Sequence, residues 1–204
     1  MLQFMYIIMS NNQTKKLLCY SHEDFDHLMF KNGWSERPPR DVAIISIASH
    51  LDENPYHHFM YSGADNVLNI DFCDCTPEEW WGGTDRYDEL FDFFILNKSD
   101  KMTNEDNRFS HAETNGDILN ALNYEQACCI VRFIDSHIQR GVESIYLHCS
   151  AGKSRSQGVV RYILDSYPQY DWKTNPDNPC LTPNYHVVRM LKRAFNFLFC
   201  SCDL

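Results

Sequence analysis

The chain has 204 residues, of which 44% are hydrophobic, and a formal net charge of −10. That length and apolar content suit one domain with a full core. The acidic balance argues against a broad nucleic-acid footprint, which needs an excess of Lys and Arg.

In chain order, residues 1–10 form an apolar run without a basic leader, too short to cross a bilayer, and read as a first strand. No other stretch approaches the roughly 18 apolar residues of a membrane span, so a soluble protein with no membrane partner is expected. A strand or strand edge follows at 16–20. Ser21-His22-Glu23-Asp24 then combines an N-cap residue with first-turn acids and opens a short helix to about residue 30. Residues 41–48 are a near-continuous, β-branched apolar run, the pattern of a central buried strand, and 66–70 read as another strand. Thr76-Pro77-Glu78-Glu79 starts like a helix, with Pro at the first helical position.

Residues 82–117 are polar and acidic with aromatic islands (Tyr87, Phe91, Phe93, Phe94) and read as an insertion. A long helix is expected over 123–140, closed by Gly141 in the left-handed conformation. After the strand, loop and helix of 145–166 comes a Pro/Asn-rich connector at 176–183. A final amphipathic helix over 184–198 carries Val187, Val188, Leu191, Ala194, Phe195 and Leu198 on one face. Strands alternating with helices predict a single α/β domain over 1–204, a three-layer sandwich with a mainly parallel central sheet. Its site belongs at the carboxyl edge of that sheet.

The richest chemistry lies in Ile145–Ile163, which reads as a strand, a tight loop after Cys149 and a helix carrying Val159, Val160, Ile163 and Leu164. A loop entering a helix N-terminus aims backbone N–H groups at one point, where the helix dipole adds positive potential. Ser150, Ala151, Gly152, Lys153 and Ser154 thus form a cradle sized for a phosphate. Arg155 can add a planar two-pronged grip. Cys149, at the base, sits where that field favours a nucleophilic thiolate. Gly152 falls where the loop turns and positive φ is useful, and Ser156 can donate a hydrogen bond to the sulfur.

His148-Cys149-Ser150-Ala151-Gly152-Lys153-Ser154-Arg155-Ser156 resembles the H-C-x-x-G-x-x-R-[S/T] signature of the protein tyrosine phosphatase superfamily, nearest its compact, dual-specificity-like branch. A looser likeness runs from about residue 40 to 197. The resemblance implies a protein tyrosine phosphatase-like fold and a two-step phosphomonoester hydrolysis through a phosphocysteine. By motif position, Cys149 is the nucleophile, Arg155 the phosphate clamp, and Ser156 the group assisting the thiolate and departing thiol. His148 orients the cysteine from behind; a plain core histidine at a strand end is a compatible reading.

The resemblance also requires a general acid on a loop after an earlier strand. Here that loop is Ile70-Asp71-Phe72-Cys73-Asp74-Cys75-Thr76-Pro77, and Asp74 is preferred over Asp71 because it lies farther out, where it can reach a leaving oxygen. Acidic residues of the insertion (Asp85, Asp88, Asp92, Asp100, Asp106, Asp117) stay open as alternatives.

The nine cysteines are odd in number and irregularly placed over a chain too long for a disulfide-stapled mini-domain, so a reducing, cytoplasmic setting is expected. No C-x-x-C pair or H-x-x-x-H cluster is present, so neither metal nor cofactor is expected. Tyr56-His57-His58 reads as a solvated loop. Trp80-Trp81 reads as packing for the insertion, or else as an aromatic edge facing substrate. Asn184 reads as an N-cap, at a position that resembles one near the site in some relatives.

The expected partner is a phosphorylated protein, with phosphotyrosine and phosphoserine or phosphothreonine both open. Alternatives are a phosphoinositide phosphatase, for which Lys153 fits but Ser150 does not, an RNA 5′-phosphatase, a rhodanese-like sulfur transferase, and a silent phosphopeptide-binding module.

Overall fold

The computed structural model describes residues 14–34, 37–49, 64–74, 121–176, 178 and 182–200. The expected strand at 1–10, the helix start at 76–79, the insertion at 82–117, and the Tyr56–His58 and Trp80–Trp81 readings lie outside the described residues. Among the described residues, five strands form one sheet in the order β3-β2-β4-β1-β5, every pair parallel. They are β1 (Thr14–Ser21), β2 (Val42–Ala48), β3 (Val67–Asp71), β4 (Ser144–Cys149) and β5 (Asp171–Thr174). The helices are α1 (His22–Lys31), α2 (Tyr124–Gln139), α3 (Arg155–Ser166) and α4 (Tyr185–Phe195), the last running into a π-helical turn at Asn196–Cys200.

Strand side chains alternate between the two faces of a sheet, and here the alternation builds two cores. Leu17, Cys19, Ala43, Ile45, Ile47, Ile145, Leu147 and Cys149 face one side, in the cluster that also holds residues of α2, α3 and α4. Leu18, Tyr20, Val42, Ile44 and Tyr146 face the other, where α1 brings Phe25 and Met29. The result is the expected three-layer α/β sandwich, with α4 seated against α2 and α3. Both faces of β2 and β4 are covered, so each is buried along its whole length. That burial is why both read as apolar runs rather than as alternating ones.

Local signals end the helices where the sequence places them. Ser21 caps α1 by accepting from Asp24 N at 3.1 Å. Asn123 and Gln126 make a reciprocal capping box on α2, at 2.9 and 3.0 Å. Gly141 follows α2 at φ +83°. Two features differ from expectation. The edge strand β5 carries no sequence signal, because Asp-Trp-Lys-Thr is a short segment with mostly exposed positions. The last α-helix stops at Phe195, three residues early, although Leu198 still packs on the core.

His186 of α4 is 2% exposed, and its Nε2 donates to the Leu122 carbonyl at 2.9 Å. Burial depresses its pKa from 6.5 to about 4, with Arg189 adding repulsion and the Leu122 hydrogen bond opposing the shift. The unfolded chain therefore binds this proton below about pH 6.5, and the folded chain only below about pH 4. Stability falls as pH drops through that window, by about 3 kcal/mol over its full width. His186→Gln, which keeps an N–H donor, should flatten this dependence in urea unfolding at pH 7, 5.5 and 4.5.

Candidate active site

The alternation that builds the sheet also sorts the signature residues. Cys149 ends β4 on the α3 side and is 2% exposed, whereas His148 points to the α1 side and is 1% exposed. The His148 ring stacks on Phe25 with centroids 4.4 Å apart and lies 5.6 Å from the His22 ring. Its place behind the cysteine thus comes with a packing role between β4 and α1.

The loop from Ser150 to Ser154 is held from outside by its carbonyls. Ser150 O accepts from His22 N at 3.1 Å, and Lys153 O from Thr182 Oγ1 at 3.0 Å. Gly152 O accepts from Gln157 Nε2 at 3.2 Å and Asn178 Nδ2 at 3.1 Å, and Ser154 O accepts from Asn184 N at 3.1 Å. All peptide bonds described are trans, so each N–H points opposite to the carbonyl of its own peptide unit. The N–H groups of Ala151, Lys153, Ser154 and Arg155 therefore turn away from these anchors. The same turn of chain feeds the N-terminus of α3 at Arg155, where the helix dipole adds positive potential.

Gly152 makes this shape possible. It sits at φ +67°, and a Cβ there would lie 2.5 Å from Tyr20 C and 2.6 Å from Ser21 N, both backbone atoms of β1. Gly158, on the first turns of α3, is equally confined: a Cβ would fall 2.8 Å from Asn184 O. The cradle is thus pressed against β1 on one side and the start of α4 on the other.

Around the sulfur, Ser156 Oγ lies 3.0 Å from Cys149 Sγ. The Cys19 thiol, on the neighbouring strand, donates to Ser156 Oγ at 3.1 Å, which leaves the Ser156 proton available for Cys149. Arg155 is 3% exposed, and its Nη1 donates to Phe72 O at 3.1 Å, tying the first turn of α3 to the chain leaving β3. That tie brings Asp74 to the rim. Asp74 is exposed, and its Oδ1 accepts from Ser154 Oγ at 2.6 Å and from Asn184 Nδ2 at 2.9 Å. The side chain of Asp71 is exposed at the end of β3, and its carbonyl accepts from Gln126 Nε2 at 2.5 Å. The six insertion aspartates lie outside the described residues.

Lys153 is exposed beside an open cavity of about 670 Å³ between the loop and α1, which Tyr20, His27, Lys31 and Ala151 also line. A second cavity of about 540 Å³, around Arg37, Arg40 and Arg140, opens at the amino ends of the strands, at the opposite edge from Cys149. Among the described residues no group of three or more His, Cys, Asp or Glu could hold a metal ion, and no helix is long and apolar enough to cross a membrane. The six described cysteines are thiols rather than disulfides, and Cys75, Cys180 and Cys202 lie outside the described residues.

Cys19, Gln157 and Asn178 join the site without a local signal in the sequence. Cys19 and Asn178 are brought in by β1 and by the connector after β5, and Asn178 Nδ2 also donates to Cys19 O at 3.0 Å.

Gly33 provides a control for Gly152, because it has φ +64° but nothing within 4 Å of the place a Cβ would take. Gly33→Ala should cost only the backbone strain, about 1 kcal/mol. Gly152→Ala adds a backbone collision and should lower the urea midpoint clearly further.

Comparison with protein-family models, curated proteins and solved structures finds no match to this chain.

Proposed function

We propose that the chain is a cysteine-dependent phosphomonoesterase acting on phosphorylated protein, in the manner of the protein tyrosine phosphatases its signature resembles. The observation that carries this reading is the placement of Cys149 Sγ 3.0 Å from Ser156 Oγ, at the base of a loop whose carbonyls are anchored by donors from other segments. A phosphate seated there meets backbone N–H groups, the α3 dipole and Arg155.

In the first step Cys149 sulfur attacks phosphorus, the P–O ester bond breaks, and Asp74 gives its proton to the leaving oxygen. In the second, Asp74 takes a proton from water as the water oxygen bonds to phosphorus. The P–S bond breaks and its electron pair returns to Cys149, with Ser156 donating a hydrogen bond to the departing sulfur. These steps call on no metal or cofactor. A carboxylate at the rim favours turnover over a silent binding module. The thiols fit a reducing, intracellular setting for thiolate chemistry. The cavity beside Lys153 and Lys31 offers room for the residues flanking the phosphorylated one.

The test is hydrolysis of para-nitrophenyl phosphate under reducing conditions, with and without vanadate. Wild type should turn over and be blocked by vanadate. Cys149→Ser should abolish turnover while phosphate still binds, and retained turnover would remove Cys149 from the nucleophile role. Arg155→Lys should lose most activity, because a point charge does not reproduce a two-pronged grip. Asp74→Ala should slow hydrolysis about 10²-fold or more, and Asp71→Ala less.

A further inference from the structure

Both hydrogen bonds to the Asp74 carboxylate arrive at one oxygen. Ser154 Oγ and Asn184 Nδ2 donate to Oδ1 at 2.6 and 2.9 Å, and no described residue donates to Oδ2. The two donors come from different elements, Ser154 from the loop before α3 and Asn184 from the position before α4. Asn184 is 2% exposed, and its amide is fixed at both ends. Oδ1 accepts from Val187 N at 3.2 Å as the helix cap, which leaves Nδ2 to face Asp74. Its backbone N donates to Ser154 O at 3.1 Å, and its backbone O packs where Gly158 has no side chain. Asn184 is therefore a rigid post, whereas Asp74 is an exposed side chain that needs one.

We propose that Asn184, together with Ser154, is a positioning residue for the general acid, holding Asp74 by Oδ1 so that Oδ2 is the oxygen that carries and delivers the proton. An oxygen already accepting two hydrogen bonds has no lone pair well placed to hold a proton, whereas the opposite oxygen does. The inference rests on the phosphatase reading and adds to it a defined rotamer and a defined acidic oxygen for Asp74. An acid placed in advance saves the cost of ordering it during the reaction.

Asn184→Ser gives the decisive variant, because Ser keeps an N-cap oxygen but is too short to reach Asp74. Initial rates on phenyl phosphate, whose leaving phenoxide needs a proton, are compared with those on 2,4-dinitrophenyl phosphate, whose leaving group departs as a stable anion. Asn184→Ser should lower kcat on phenyl phosphate about tenfold, leave KM nearly unchanged, and alter the dinitrophenyl rate less than about twofold. In an Asp74→Ala background the same substitution should have no further effect on phenyl phosphate, since it acts through that carboxylate. Adding Ser154→Ala to Asn184→Ser should deepen the loss on phenyl phosphate.

Equal losses on both esters, or a loss that persists without Asp74, would overturn the positioning role. So would unchanged rates on both. Failure of wild type to hydrolyse either ester would instead remove the phosphatase reading itself.

Discussion

The loop after β4 keeps its shape because its carbonyls are committed to fixed donors outside it, and the rest of the site depends on that commitment. The Gly152 carbonyl is the clearest case, meeting the Gln157 and Asn178 amides together, with the Cys19 thiol 3.5 Å away. These donors come from α3, from the connector after β5 and from β1. Each anchored carbonyl turns the N–H of its own peptide unit the other way, so satisfying acceptors behind the loop frees its donors for the proposed anion. No lysine or arginine cluster is needed for that, so the net charge of −10 does not conflict with the proposed phosphate site.

A second constraint is the two-residue period of β4. With the strand covered on both faces, neighbouring residues are delivered to different layers. His148 goes to the α1 layer and Cys149 to the α3 layer, where Ser156 and Cys19 wait. The polar atoms around the sulfur then lie in a nearly closed space, where hydrogen bonds count for more than in water.

Much of this was legible in the sequence because it is local. The central strands announced themselves as apolar runs, the cap of α1 as Ser21, the end of α2 as Gly141, and the strand, loop and helix around Cys149 as one contiguous stretch. What stayed hidden depends on chain segments far apart. Cys19 and Ser156 are 137 residues apart, and no periodicity links them. Asn184 was legible as a helix cap, since that role is read from the residues after it. Its second contact, 110 residues back at Asp74, is a product of packing. The strand β5 escaped for a different reason: an exposed edge needs no apolar alternation, so its sequence carries none.

The parallel pairing of β4 with β1 has a kinetic consequence. Ser21 and Cys149 are register partners across 128 positions of chain, and Asp74 and Asn184 come from still other segments. Contacts of such separation are closed late, because loop-closure entropy must be met before they repay it. The loop can take this shape only once β1 lies against it, so the geometry around Cys149 belongs to the last stage of folding. In a refolding protein, helical signal would recover first and the contacts around Cys149 would lag behind it.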